Sequence, residues 1–299
     1  MTSFRDSRFA KDRFATLAAR AISAPLRSAR DSGFAKDRFA TLAARAISAP
    51  LRSARDRLAS RFLALLVRNP EARAFVLQQA AEAESTDEGA LFDHVLAHVD
   101  DPELAKMVGK HRDDEIRHAE MFRAQVKRQG VAPGPVPDDL RVIDNIDRHL
   151  GGFFDKPITD GRGLMETYLL LQVVEERALH QFGLLERAMR VVDVPAADTI
   201  AAIAKDEARH LRYCHAISRR YAPDEATRIA TLKRLRRVEA EAFRDHSARN
   251  LKHMLDRGFL PPLPTVVWRG ISVLTSRSQA LPYTDFAART DTAGYAEAA

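Results

Sequence analysis

The segments DEIRH at 114–118 and DEARH at 206–210 decide how this 299-residue chain is interpreted. They hold the only two Glu-x-x-His motifs in the sequence, and both read Asp-Glu-x-Arg-His. Each motif glutamate lies 14 residues after an aspartate, Asp101 or Asp193, that a proline follows within two residues. An aspartate N-cap and a proline in the first turn are typical of helix starts. The two segments therefore predict two equivalent helices that carry the motif at the same height.

Both motifs lie on the apolar face of their predicted helix. At about 100° per residue, Glu115 and His118 share a face with Phe122, and Glu207 shares one with His210. A buried carboxylate must be neutralised, paired or bound to a metal, because an unpaired buried charge is too costly. The spacing of three residues puts one carboxylate and one imidazole side by side, as a metal ion requires.

Helical periodicity extends through most of the chain and stops at turns rich in Asp, Gly and Pro. Two helical hairpins joined by a long crossover predict an all-α protein built on a four-helix bundle. Helices are predicted over 71–99, 102–129, 138–150, 163–192, 195–221, 224–257 and 265–274, with 130–162 as the crossover. The predicted domains are a basic arm at 1–68, the bundle at 69–222, and a charged helix with a C-terminal tail at 223–299.

The first and third bundle helices should each add one carboxylate at the height of the motifs. On the first helix Glu84 lies on the apolar face, with Glu88 one turn later as the alternative. On the third helix the apolar face favours Glu175, whereas counting residues back from Asp193 favours Glu176. We expect Glu175, because one residue of slack in a loop costs little.

Four carboxylates that face one another inside a bundle repel unless cations lie between them. Two divalent ions supply the matching charge. Sites rich in carboxylate with one imidazole for each ion suit Fe(II), with Mn(II) as a second candidate. The predicted metal ligands are Glu84, Glu115, His118, Glu175, Glu207 and His210.

This pattern resembles the ferritin-like di-iron carboxylate superfamily, which includes rubrerythrins, bacterioferritins and demethoxyubiquinone hydroxylases. Bundles of that superfamily use one Glu from each of two helices and a Glu-x-x-His from each of the other two. The resemblance covers about 71–221, and Glu175-Glu176 followed by His180 is similar to the third helix of the hydroxylases. The residues Ser85-Thr86-Asp87 after Glu84 depart from the usual sequence of that family.

The resemblance also implies a role for each residue. Glu115 and Glu207 would bridge two irons, Glu84 and Glu175 would be terminal ligands, and His118 and His210 would bind one iron each. Asp114 and Asp206 match the aspartates that hydrogen-bond the ligand imidazoles.

The function that the resemblance implies is that of an oxidoreductase. Two iron ions would activate O₂ or peroxide to hydroxylate or oxidise a small organic or lipid-like substrate, with electrons from an external donor. Ferritin-like iron oxidation and storage, peroxide detoxification and a non-catalytic stress or scaffold role are the alternatives. A homodimer is compatible with the sequence.

Composition and charge exclude several other classes of protein and of metal site. A single cysteine, Cys214, excludes an intramolecular disulfide, a Cys-based zinc site, a rubredoxin-type iron site and a Cys-ligated iron–sulfur cluster. No apolar run is long enough to span a bilayer, so we expect a soluble, cytoplasmic chain. Residues 1–62 carry 14 Lys and Arg against 5 Asp, and residues 5–31 recur almost unchanged at 30–56. Binding to nucleic acid or a membrane surface is therefore expected, if at all, only through this arm.

Several other polar side chains have simpler explanations than a role in chemistry. We expect His111 to be a hydrogen-bonded core histidine rather than an extra ligand, and Tyr168 to be a packing residue rather than a redox centre. Arg117 and Arg209 should pair with acidic neighbours. The charged helix at 224–257 should present a solvated face.

Overall fold

Every regular element in the described part of the chain is a helix. The computed structural model describes residues 56–85, 88–154 and 156–277, all within the unit Asp56–Ala299; the side chains of 88–90 and 271–277 are not among them. These residues contain no β-strand, and the predicted all-α class is confirmed. The duplicated segment at 5–56 lies, apart from residue 56, outside the described residues.

The helices follow one another with short connections, except between the fourth and the sixth. They are α1 (56–66), α2 (Pro70–Ala83), α3 (Glu88–Leu96), α4 (Pro102–Arg128), α5 (Val142–Leu150), α6 (Gly161–Val192), α7 (Val194–Arg220), α8 (Glu225–Asp256) and α9 (Pro262–Arg277), with a 3₁₀ turn at Asp138–Leu140 before α5. The main packed pairs are α6 with α7, α2 with α4, α5 with α8, α6 with α8, and α4 with α7. No helix among the described residues combines the length and the apolar character needed to cross a membrane.

The two predicted aspartate caps are confirmed. The Asp101 carboxylate accepts the Glu103 backbone N–H at 2.9 Å, and Asp193 accepts that of Ala196 at 3.2 Å. Asp193 also accepts a hydrogen bond from the Gln129 side chain at 2.7 Å. Because Gln129 is the C-cap of α4, this contact ties the end of α4 to the start of α7 and sets the two helices in register.

The prediction of one helix over 71–99 is wrong, because the chain forms α2 and α3 there. Glu84 is the C-cap of α2, and the Ser85 hydroxyl donates to the Glu82 carbonyl at 3.3 Å. Ser, Thr and Asp side chains compete with the helical backbone for hydrogen bonds, which favours a helix end at this point. Glu84 is nevertheless still held by the last turn of α2.

Residues on both sides of the predicted bundle segment also contribute to the buried core. Leu66 and Val67 are fully buried, so the body begins before residue 69. On α8, Leu235 and Ala242 are also fully buried, in a cluster with Ile146 of α5 and residues of α6. The helix α8 therefore has an exposed charged side, as predicted, and a buried apolar side.

Two apolar layers enclose the polar residues of the motifs. Along α4, Val108 comes before the motif and Phe122 after it; along α7, Ile203 comes before and Cys214 after. Val108 packs in the same cluster as Cys214, and Phe122 in the same cluster as Ile203. The motifs therefore lie between two water-excluding layers that α4 and α7 share.

Candidate metal centre

The six side chains predicted as metal ligands lie together in the protein interior. They come from the C-cap of α2 and from α4, α6 and α7, and none exposes more than 8 % of its surface. Their donor atoms, with those of His111, form two adjacent groups that could each hold a metal ion. The seven residues are Glu84, His111, Glu115, His118, Glu175, Glu207 and His210.

The first group, here called position 1, consists of His111, Glu115, Glu175 and His210. One donor atom from each lies within 4.8 Å of the others. His111 Nε2 is 2.9 Å from Glu175 Oε1, and His210 Nδ1 is 2.9 Å from Glu115 Oε1. Position 1 therefore offers two imidazoles and two carboxylates.

The second group, position 2, consists of Glu84, Glu115, His118 and Glu207. His118 Nδ1 lies 3.0 Å from Glu207 Oε1 and 3.4 Å from Glu84 Oε2. Position 2 therefore offers one imidazole and three carboxylates.

Two glutamates connect the positions, because each directs its two oxygens toward different imidazoles. Glu115 Oε1 is 2.9 Å from His210 Nδ1, and Glu115 Oε2 is 3.8 Å from His118 Nδ1. Glu207 Oε2 is 3.0 Å from His210 Nδ1, and Glu207 Oε1 is 3.0 Å from His118 Nδ1. This arrangement allows both carboxylates to bridge two ions.

The distances between donor atoms fit ions bound at ordinary bond lengths. Bonds of about 2.1 Å place neighbouring donors about 3.0 Å apart at right angles and about 3.4 Å apart in a tetrahedron. In addition, His118 Nδ1, Glu115 Oε1 and Glu207 Oε1 are buried and have no hydrogen-bond partner among the described residues. Buried polar atoms without partners are rare, and the convergence of these three atoms on one space is compatible with a bound cation.

Without an ion, burial and neighbouring carboxylates favour the protonated form of two carboxyl groups of the cluster. Burial and the neighbouring Glu175 and Glu115 raise the pKa of Glu207 to about 8. Burial, followed by the charge of Glu115, raises the pKa of Glu84 well above its usual value. Burial acts in the same direction on Glu115, but the imidazoles facing it lower its pKa. Proximity to Glu207, His111 and His210 similarly lowers the pKa of Glu175 to about 2, against the effect of burial.

The carboxylates of the cluster raise the pKa values of the imidazoles. Burial would lower the pKa of His118, but Glu115, Glu207 and Glu84 raise it to about 12. The carboxylates around His210 likewise outweigh burial and raise its pKa. Protons therefore balance the charge of the cluster when no cation does.

The aspartates of the two motifs bind the far nitrogens of the imidazoles in a crosswise arrangement. Asp114 of α4 lies 3.3 Å from His210 Nε2, and Asp206 of α7 lies 3.3 Å from His118 Nε2. A carboxylate on Nε2 leaves Nδ1 as the atom that faces the cluster. Each imidazole is thus oriented by the other helix of the pair.

Arg117 and Arg209 pair with these aspartates, which confirms their predicted role. Arg117 donates to Asp114 and Asp206 at 2.6 Å, and Arg209 donates to Asp114 at 2.5 Å. Burial would raise the pKa of Asp114, but Lys110 and the other cations lower it well below its usual range. Both aspartates therefore stay ionised as partners of the imidazoles.

The structure separates the two glutamates between which the sequence left a choice. Glu175 faces position 1, whereas Glu176 accepts hydrogen bonds from Arg236 at 2.8 Å and Gln172 at 3.0 Å. The apolar face of the helix therefore indicated the glutamate that faces the cluster, whereas the number of residues back from Asp193 indicated the other one. Glu88 begins α3, and its side chain is outside the described part of the chain.

His111 has one feature beyond those that the sequence predicted. It is a buried, hydrogen-bonded histidine as expected, but its Nε2 also belongs to position 1. Its spacing, one turn before Glu115 on the same face, was the available signal. Tyr168 and Cys214 are fully buried in one apolar cluster, as packing residues would be.

No family model, curated protein or solved structure matches this chain. The assignment of the site therefore depends on the geometry and electrostatics of its own side chains. Those side chains form two buried groups that could each hold a metal ion.

Proposed function

We propose that this protein is a ferritin-like, two-metal oxidoreductase that uses iron to activate O₂ or peroxide. The observation that carries the proposal is the geometry of Glu115 and Glu207. Each directs one oxygen to His118 and the other to His210, as ligands shared by two ions must.

The arrangement of the helices supports a ferritin-like bundle. Helices α2, α4, α6 and α7 supply all the candidate ligands, and 129–160 is the one long connection between them. One glutamate from each of α2 and α6, with a Glu-x-x-His motif from each of α4 and α7, is the ligand plan of that architecture.

The donor set supports iron, with manganese as a second candidate. Carboxylate oxygens outnumber imidazole nitrogens, and no thiolate takes part, a composition that suits Fe(II) and Mn(II) better than copper. Two bound irons would supply the electrons that reduce O₂ or peroxide. A small organic or lipid-like substrate and an external electron donor would complete the reaction.

The residues of the chain would hold, orient and shield the ions. Glu115 and Glu207 fix the two positions relative to each other, while Asp114 and Asp206 hold the imidazoles with Nδ1 inward. The apolar layers on either side exclude bulk water from the cluster. Such a dry cavity strengthens every electrostatic contact inside it.

The test is anaerobic loading with Fe(II), followed by metal counting and measurement of O₂ uptake. We expect about two irons for each chain, O₂ consumption in proportion to iron, and loss of both in Glu115→Gln. The matched control is Glu120→Gln, an exposed position on the same helix, which should behave as the wild type.

Two results would overturn the proposal. One is the absence of iron-dependent O₂ uptake in protein that holds two irons. The other is a large assembly on a sizing column that accumulates hundreds of irons, which would identify iron storage instead.

A further inference from the structure

The two metal positions differ in their donor atoms. Position 1 has two imidazoles and position 2 has one, while Glu115 and Glu207 reach both positions. Building on the function proposed above, we propose that His111 is a third imidazole ligand and that position 1 therefore fills first. Ions with a high affinity for nitrogen should therefore prefer position 1.

The placement of His111 fits a ligand better than a hydrogen bond alone. Its Nε2 lies 2.9 Å from Glu175 Oε1 and 3.3 Å from Glu115 Oε1, so it faces two donor atoms of one position. Its ring lies beside that of His210, with centroids 3.9 Å apart and planes inclined by 31°. A hydrogen bond to Glu175 alone would not require His111 Nε2 to lie near Glu115, or the His111 ring to lie beside that of His210.

The surroundings of His111 hold it in place. It is fully buried on α4, and the Phe92 ring of α3 packs against it with centroids 4.7 Å apart. Because α4 also supplies Glu115 and His118, three donors reach the cluster from one rigid helix. The imidazole is therefore pre-organised toward position 1.

His111 differs from the other two imidazoles at its far nitrogen. His118 and His210 each have an aspartate there, whereas His111 Nδ1 has no hydrogen-bond partner among the described residues. A carboxylate partner raises the basicity of a ligand imidazole. His111 is therefore the weakest of the three, and its removal should weaken position 1 without abolishing it.

The test is a titration of the metal-free protein with Co(II), followed by visible absorption and calorimetry. The wild type should bind two ions in two steps, the first at least about tenfold tighter than the second. In His111→Gln the first step should weaken by about 10- to 100-fold and the second should persist. The glutamine amide can still donate to Glu175, so a purely structural histidine would be replaced without loss.

The matched control is His246→Gln, the same change at a buried position on α8, which should leave both steps unchanged. X-ray absorption of wild-type protein with one equivalent of Co(II) needs no variant and should count two imidazoles around the ion. One imidazole in that spectrum, or an unaltered first step in His111→Gln, would overturn the role of His111. No Co(II) binding at either position would instead refute the metal centre itself.

Discussion

Binding of two divalent ions should expel about four protons from each chain at pH 7. Without an ion, Glu207 and His118 both hold a proton there, since their pKa values are raised to about 8 and about 12. Burial also raises the pKa of Glu84, and the carboxylates around His210 raise the pKa of that imidazole against the effect of burial. An ion binds only deprotonated donors, so the protons that these four groups favour holding are expelled as the ions bind.

The net charge of the cluster also predicts the release of four protons. Before loading, the charged His118 and His210 offset Glu115 and Glu175, whose pKa values are lowered. After loading, four carboxylates offset two doubly charged ions. A buried cluster is least costly when it carries no net charge, and the exchange of four protons for two ions keeps it neutral. The pKa of His111 is also raised, so a proton on His111 before loading would add one positive charge to the cluster and bring the release to five.

The assay is calorimetric titration with Mn(II) at pH 7 in two buffers of different ionisation enthalpy. Each proton released changes the logarithm of the overall binding constant by one for each pH unit, so binding should weaken by about 10⁴-fold from pH 7 to pH 6. The exposed variant Glu120→Gln should release the same number as the wild type. Release of two protons or fewer would refute this account of how the cluster is charged.

Three further changes should alter stability or metal affinity. Arg177→Met should destabilise the fold by about 3–5 kcal/mol in urea unfolding, because it leaves the buried Glu239 without its bidentate partner at 2.8 and 3.0 Å. Asp206→Asn should weaken metal binding at position 2 by about 10- to 100-fold, because an amide orients His118 less strongly than a carboxylate does. Lowering the pH should reduce the free energy of unfolding by about 3 kcal/mol through protonation of His246. Burial, followed by Arg249, lowers its folded pKa from 6.5 to about 4, so stability is lost as the pH falls through that range.

Each of these changes has a matched comparison. Arg244→Met, an exposed arginine on α8, should change stability by less than about 0.5 kcal/mol, so an equal loss there would contradict the buried-pair explanation. Asp113→Asn, exposed on α4, should leave metal binding intact. Wild type and His246→Gln should lose stability at different rates between pH 6.5 and 4, and parallel curves would exclude the effect of His246.

The sequence was sufficient to place most of the cluster, because its signals are local. The spacing from the caps Asp101 and Asp193 predicted how far along each helix the motif glutamate lies. Helical periodicity predicted on which side of the helix it lies. The same periodicity chose Glu175 over Glu176. Each of these inferences needs only the geometry of a single helix.

Contacts between helices could not be predicted in this way. Periodicity shows that Asp114 is next to the buried face, but not that its partner is His210 of another helix. The charged pattern of α8 also concealed the pair that Glu239 forms with Arg177 of α6. Such pairs depend on which helices are neighbours in space, and that information is absent from the local sequence.

The central claim is that the cluster holds two ions that share Glu115 and Glu207. Anomalous X-ray scattering at the iron edge, from crystals of protein loaded anaerobically with Fe(II), tests it most directly. We expect two peaks for each chain, one beside His210 and one beside His118, with both glutamates in contact with each peak. A single peak, or iron bound away from these side chains, would contradict the account.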